Sequence, residues 1–177
     1  MKQTLLLHGW FQKPTENWFP WLRQELEKSG YTVSVPDLPT MQTNSPRLDK
    51  LLKVIDKTTT IDRQTTIIGH SLGCLIGLRL AEKFCFNKLI LVAGWDFNDL
   101  TFEHRFFWKI PINHKKIISN VKNIVVIHSD NDPYITAFQA EEMSKRLKAV
   151  KFVLVKGAGH FGKDDHYTQL PQILKFV

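Results

Sequence analysis

Only two cysteines, Cys74 and Cys85, occur in the 177-residue chain, and one such pair supplies neither a disulfide framework nor the ligand spacing of a metal site. A reducing, cytoplasmic setting is therefore expected, with no metal. Long apolar runs are missing as well. Met1-Lys2-Gln3-Thr4-Leu5-Leu6-Leu7 places a lysine ahead of apolar residues, but His8 and Gly9 break the run far short of a signal h-region or a membrane span. The segment reads as a strand, and no membrane insertion is expected. Internal repeats, low-complexity tracts and linkers are absent too, and with 43% hydrophobic residues the chain suits one domain over residues 1–177 with one core of ordinary size. Acidic residues are in deficit, 17 against 24 Lys and Arg, for a net charge of +7. The basic residues are scattered, however. Their densest group, His114, Lys115, Lys116 and Lys122, borders a short predicted helix and lacks the aromatic interleaving of single-strand binders. It reads as a solvated face, and no nucleic-acid partner is expected.

What the chain does have is six apolar runs of strand length: Thr4 to Leu7, Thr32 to Val35, Thr65 to Ile68, Lys88 to Val92, Ile124 to Ile127 and Phe152 to Val155. Most are continuous rather than alternating, as in parallel strands buried on both faces. Helix patterns lie between them. Trp18, Trp21, Leu22 and Leu26 recur at helical spacing up to Gly30, with Pro20 in the first turn. A second helix is expected from Pro46, burying Leu48, Leu51, Leu52 and Ile55. A third covers Ser71 to Phe84, and a fourth runs from Thr136 to Lys148, with Thr136 and Gln139 in capping-box spacing. A fifth closes the chain through Leu170, Ile173, Leu174 and Phe176. This alternation predicts an α/β fold, about six mostly parallel strands flanked by helices on both faces, with ligands beyond the carboxyl ends of the strands.

One pentapeptide carries chemistry. Gly69-His70-Ser71-Leu72-Gly73 follows the third strand and opens the third helix. In such a G-x-S-x-G elbow the serine sits at the apex of a strained turn, and the flanking glycines let strand and helix approach until the hydroxyl is exposed. Ser71 is thus a nucleophile candidate. A serine hydroxyl needs a base to take its proton and an acid to orient that base. Asp132 and His160 follow the fifth and sixth strands, in the chain order nucleophile, acid, histidine of an α/β-hydrolase. Asp130 competes with Asp132 within Ser129-Asp130-Asn131-Asp132-Pro133, and Asp132 is preferred because Pro133 holds it extended at the loop edge. His160 is preferred to His166 because Gly157 and Gly159 permit a tight loop after the last strand. Two backbone donors should bind the developing oxyanion: the N–H of Leu72, and one from the loop His8-Gly9-Trp10-Phe11, assigned to Trp10 with Phe11 as the alternative. His8 and His70 are read as shaping their turns, and Cys74 as core packing.

Residues 93–113 leave the fourth strand, where such folds insert a lid, and carry Trp95, Phe97, Phe102, Phe106, Phe107 and Trp108. The stretch is too short for a lid domain. Either these aromatics merely cover the sheet, or several of them, with Trp95 and Trp108 foremost, wall an apolar substrate pocket beside Ser71. In the second case short-chain aryl esters are better substrates than long-chain lipids.

Gly69-His70-Ser71-Leu72-Gly73, Ser129-Asp130-Asn131-Asp132-Pro133-Tyr134 and Gly157-Ala158-Gly159-His160-Phe161 together resemble the small single-domain serine hydrolases related to retinoblastoma-binding protein nine, including their bacterial relatives. The resemblance spans almost the whole chain, and includes Trp18-Phe19-Pro20-Trp21-Leu22 and the segment through Phe107 and Trp108. It implies a compact α/β-hydrolase fold without a lid domain, and Ser71, Asp132 and His160 as a catalytic triad. The L-x-C-x-E motif of the mammalian member has no counterpart, since Leu72-Gly73-Cys74-Leu75-Ile76 lacks the glutamate, so its protein partnership does not carry over. The expectation is a hydrolase of a small ester or related acyl substrate, needing no cofactor. A protein-binding module on a hydrolase scaffold and an acyltransferase or thioesterase using the same residues are the alternatives.

Overall fold

A computed structural model describes residues 2–162 and 164–177. Six strands, β1 (Gln3–Leu7), β2 (Thr32–Ser34), β3 (Thr65–His70), β4 (Phe86–Val92), β5 (Val121–Ser129) and β6 (Lys151–Val155), form one sheet in the order β2-β1-β3-β4-β5-β6. Every pairing is parallel. Among the described residues five α-helices intervene, α1 (Phe19–Lys28), α2 (Leu48–Thr58), α3 (Leu72–Ala81), α4 (His114–Asn120) and α5 (Ala137–Arg146), with a short 3-10 helix at Pro39–Gln42.

The apolar runs are continuous because the sheet has two buried faces. Leu5, Leu7, Ile67, Leu89, Leu91, Ile124 and Val126 face one core, completed by Leu51 and Ile55 of α2, Leu75 and Leu78 of α3, Ile117 of α4 and Met143 of α5. Their neighbours Leu6, Ile68, Ile90, Val92, Val125 and Ile127 face the other, completed by Phe19, Leu22 and Leu26 of α1 and by Leu170 and Ile173. Successive side chains of a strand point to opposite faces, so each strand must be apolar throughout to feed both layers.

Two local expectations are corrected. The chain ends in a 3-10 helix over Pro171–Phe176 rather than an α-helix. With three residues per turn, Leu170, Ile173 and Phe176 fall on one face, which turns Leu174 outward to 38% exposure instead of burying it. Pro46 does not sit in the first turn of α2. The N-cap is Arg47, in an extended conformation, so Pro46 directs the approach to the helix rather than opening it. Leu51 and Ile55 are fully buried there, while Leu48 and Leu52 are partly buried.

The capping box of α5 is complete. Thr136 Oγ1 accepts from the Gln139 N–H, and Gln139 Oε1 accepts from the Thr136 N–H. Thr136→Ala removes one half and should lower unfolding free energy by about 1 kcal/mol. Urea denaturation checks this, and an unchanged midpoint would mean that packing alone holds the end of α5.

Candidate active site

Ser71 joins β3 to α3 with φ 53° and ψ −125°, a conformation that non-glycine residues rarely adopt and that marks stored backbone strain. The surrounding backbone enforces it. The Ser71 N–H donates to the Val92 carbonyl at 2.9 Å, and the Ser71 carbonyl accepts from the Cys74 N–H at 2.9 Å. The two motif glycines make room: a Cβ on Gly69 would stand 2.7 Å from the Gly73 carbonyl oxygen, and one on Gly73 would stand 2.2 Å from the Leu7 carbonyl oxygen. Cys74 lies beneath the turn with its thiol pushed up by burial, which suits core packing.

Ser71, His160 and Asp132, from three separate loops, meet in one hydrogen-bonded line. His160 Nδ1 lies 2.8 Å from Asp132 Oδ2, and His160 Nε2 lies 2.8 Å from Ser71 Oγ. A carboxylate only accepts, so Nδ1 carries the proton and Nε2 presents its lone pair to the serine hydroxyl. Asp132 is buried, which pushes its carboxyl up. The His160 ring and the N–H groups of Tyr134 and Ile135 outweigh that cost and hold the carboxyl below the ordinary carboxylate range.

Asp130, the rival acid, does something else. Three successive side chains at the end of β5 and just beyond it accept from three successive N–H groups after β6: Asp130 Oδ1 from Gly157 at 2.7 Å, Ser129 Oγ from Ala158 at 2.9 Å, and Asn131 Oδ1 from Gly159 at 2.8 Å. Asp165 continues the support, its Oδ2 accepting from the N–H groups of His160 and Gly162. The His160 loop is thereby fixed from both sides, and it is His160 rather than His166 that meets Ser71. No sequence pattern announced Asp165, because its task depends on a turn closing back on itself.

The loop after β1 abuts the serine, since a Cβ on Gly9 would stand 3.0 Å from Ser71 Cβ. The Phe11 N–H is occupied by the Met41 carbonyl at 2.9 Å. Among the described residues the N–H groups of Trp10 and Leu72 meet no acceptor. His8 explains the Trp10 orientation. Its Nε2 accepts from the Leu38 N–H at 3.2 Å, so Nδ1 carries the proton that faces the Gly9 carbonyl at 3.0 Å. In a trans peptide the N–H points opposite to the carbonyl, so pinning the Gly9 carbonyl turns the Trp10 N–H the other way. Burial depresses the pKa of His8, consistent with this neutral tautomer.

His70 ties the two loops together. Its Nε2 lies 2.7 Å from the His160 carbonyl and its Nδ1 lies 2.8 Å from the Gln12 side-chain amide. Burial pushes its pKa down to about 3, so it is not a base at neutral pH. His128, buried behind Asp132, donates to the Ile135 carbonyl at 2.8 Å, and burial also lowers its pKa.

These groups open onto a cleft of about 1070 Å³ whose lining includes Trp10, Ser71, Leu72, Tyr134 and His160. Trp95 lines it, but Trp108 does not; Trp108 packs against the core instead. Arg79 of the buried helix α3 decides much of this. Its guanidinium donates to the carbonyls of Phe107, Ile110 and Pro111, fastening the aromatic segment to the helix. Asp96, next to Trp95, is gripped by Arg146 at 2.6 and 2.9 Å and by His114 at 2.6 Å. Phe102 and Phe106 stack with Arg105, outside the cleft. Among the described residues no cluster of His, Cys, Asp and Glu could hold a metal ion, and no helix is long and apolar enough to cross a membrane.

Comparison with known proteins agrees with this architecture. The chain is 30% identical over 176 residues to YdeN of Bacillus subtilis (strain 168), covering 96% of this chain and 91% of YdeN. The crystal structure of the B. subtilis ydeN gene product superposes with a TM-score of 0.87 at 28% identity, covering 99% of this chain and 96% of that one. Serine hydrolase RBBP9 of Rattus norvegicus is 28% identical over 164 residues, 91% of this chain and 86% of RBBP9. Est1E from Butyrivibrio proteoclasticus, solved with ferulic acid bound, shares the fold at a TM-score of 0.70 and 16% identity, covering 99% of this chain and 89% of that one. Residues 4–177 match the model of one family by sequence, and the chain belongs to it: the serine hydrolase family.

Proposed function

We propose that this protein hydrolyses a carboxylic ester of a small substrate through an acyl-enzyme formed on Ser71. The observation that carries the reading is the unbroken hydrogen-bonded line from Asp132 through His160 to Ser71, opening beside two backbone N–H groups that meet no acceptor among the described residues. In this reading the Ser71 oxygen attacks the ester carbonyl as its proton passes to His160 Nε2. The buried Asp132 carboxylate stabilises the resulting imidazolium, and the N–H groups of Trp10 and Leu72 bind the oxyanion, each such donor contributing about 3 kcal/mol to the transition state. The alcohol leaves with the proton from His160, and water, deprotonated by the same nitrogen, releases the acid. The Trp95 wall suits small aryl esters better than long acyl chains. A fluorophosphonate probe tests the reading: it should label Ser71, and a folded protein that resists labelling would point to a binding role instead.

The pH dependence separates the two ionisable partners. Because the Asp132 carboxyl is held below the usual range, it stays ionised through neutrality. Its favourable interactions are lost only as the pH falls through that lowered value. Mild acidification therefore leaves the carboxylate intact, and because only a neutral imidazole can take the serine proton, the rate on a neutral ester should fall as the pH is lowered from neutral. A flat profile across that range would argue against an imidazole base.

A further inference from the structure

The segment that follows β4 carries exposed apolar side chains and unbalanced positive charge together. Leu100, Phe102 and Ile110 are 86%, 70% and 70% exposed. Leu100 also has φ 60°, a left-handed conformation that strains a non-glycine backbone. A side chain so exposed gives the core almost nothing in return. Three cations, one of them far away in the sequence, converge on the same segment. From the centroid of the Phe106 ring the Arg47 guanidinium lies 4.2 Å, the Arg105 guanidinium 4.4 Å and Lys109 Nζ 5.4 Å, and Arg105 also stacks on Phe102 at 3.6 Å. Asp49 answers Arg47 at 3.2 Å, but among the described residues Arg105 and Lys109 form no ion pair. Like charges gathered on one ring repel, and the ring offsets only part of that. The face is anchored rather than loose, because Arg79 holds the carbonyls of Phe107 and Ile110.

Charge and apolarity together specify the occupant. Leucine, phenylalanine and isoleucine beside arginine and lysine suit the surface of an anionic bilayer, where apolar tips reach the acyl boundary and cations meet lipid phosphates. A second copy of the chain would set these cations against themselves across a two-fold axis. A single-stranded nucleic acid needs free ring faces, whereas Phe102 and Phe106 already carry guanidinium groups. Leu100 and Ile110 offer it nothing. We propose that the face formed by Leu100, Phe102, Ile110, Arg47, Arg105 and Lys109 adsorbs to anionic lipid surfaces, with no element crossing the bilayer. Thr101, between Leu100 and Phe102, lines the cleft that holds Ser71, so adsorption brings that cleft to the lipid surface.

Sedimentation with vesicles tests this at physiological ionic strength, where screening weakens adsorption by net charge alone. The protein should bind vesicles of equimolar phosphatidylcholine and phosphatidylglycerol and stay in solution with phosphatidylcholine alone. Each cation at such a surface strengthens adsorption by about 5-fold, so Arg105→Gln with Lys109→Gln should weaken it by about 10- to 30-fold. Lys115→Gln with Lys116→Gln removes the same charge from the densest basic stretch of the sequence and should cost less than about 3-fold. Leu100→Ser with Phe102→Ser should weaken adsorption by about 10-fold or more, and thermal melts check that every variant is folded. This apolar pair serves if the Arg105 variant is not. Adsorption indifferent to phosphatidylglycerol, equal losses in the two charge-matched variants, or full adsorption by the apolar variant would overturn the proposal. A dimer dispersed by the apolar variant, or binding of a single-stranded oligonucleotide in place of vesicles, would overturn it too and give the face to a second copy or to nucleic acid. Vesicle binding needs no turnover, so these outcomes are independent of the esterase reading.

Discussion

Ser71→Ala and His160→Ala are each expected to lower kcat on an activated ester by about 10⁴- to 10⁶-fold, and the double variant by little more. In the proposed mechanism the two residues act as one unit. Ser71 Oγ sits 2.8 Å from His160 Nε2, so removing the hydroxyl leaves the imidazole nothing to deprotonate, and removing the imidazole leaves a hydroxyl too weakly acidic to attack. Asp132→Asn should cost somewhat less, since the amide can still contact Nδ1 but presents the wrong tautomer and no charge. What survives in these variants would reflect binding and the proposed Trp10 and Leu72 donors. Purified variants assayed with 4-nitrophenyl acetate decide the matter. Wild-type turnover by Ser71→Ala in a preparation free of host esterases would remove the nucleophile from the mechanism.

Gly73→Ala is expected to be the most damaging small substitution for folding. The added methyl would lie 2.2 Å from the Leu7 carbonyl oxygen and 2.8 Å from that of His8, both backbone atoms. Leu7 cannot retreat, because β1 is hydrogen-bonded between β2 and β3. Relief has to come from shifting α3 or the end of β1, which carries the Gly9–Trp10 loop. Overpacking of this kind costs about 3 kcal/mol or more, a large share of a typical stability of about 5–15 kcal/mol. For a chain of this size that is a fall in Tm of about 6–12 °C. Gly30→Ala is the control: a Cβ there meets nothing within 4 Å, and only the positive φ of 80° opposes it, at about 1–2 kcal/mol. Thermal melts of the two variants should therefore separate clearly. Equal shifts would mean that the strand–helix contact is looser than its distances indicate.

The strand–turn–helix around Ser71 was legible in the sequence because its causes are local. Five consecutive residues carry the strained apex and the two positions where a side chain would strike backbone. The doubly covered parallel sheet was legible for a related reason, since continuous apolar strands have no other way to bury both faces. The choice between Asp130 and Asp132 was not local. The two carboxylates share one loop, and only the fold shows one accepting from the Gly157 N–H while the other reaches His160. Trp10 rather than Phe11 has the unpaired N–H because Met41, thirty residues away, supplies a carbonyl to Phe11. Among the aromatics of residues 93–113, Trp95 faces the cleft and Trp108 does not. That outcome rests on the grip of Arg79 on distant carbonyls and of Arg146 and His114 on Asp96, and an irregular segment has no periodicity to reveal it. Residue identity determined by itself which groups could react and which strands had to be buried. Which side chains meet depends on contacts between loops far apart in the chain, and only the tertiary structure decided those.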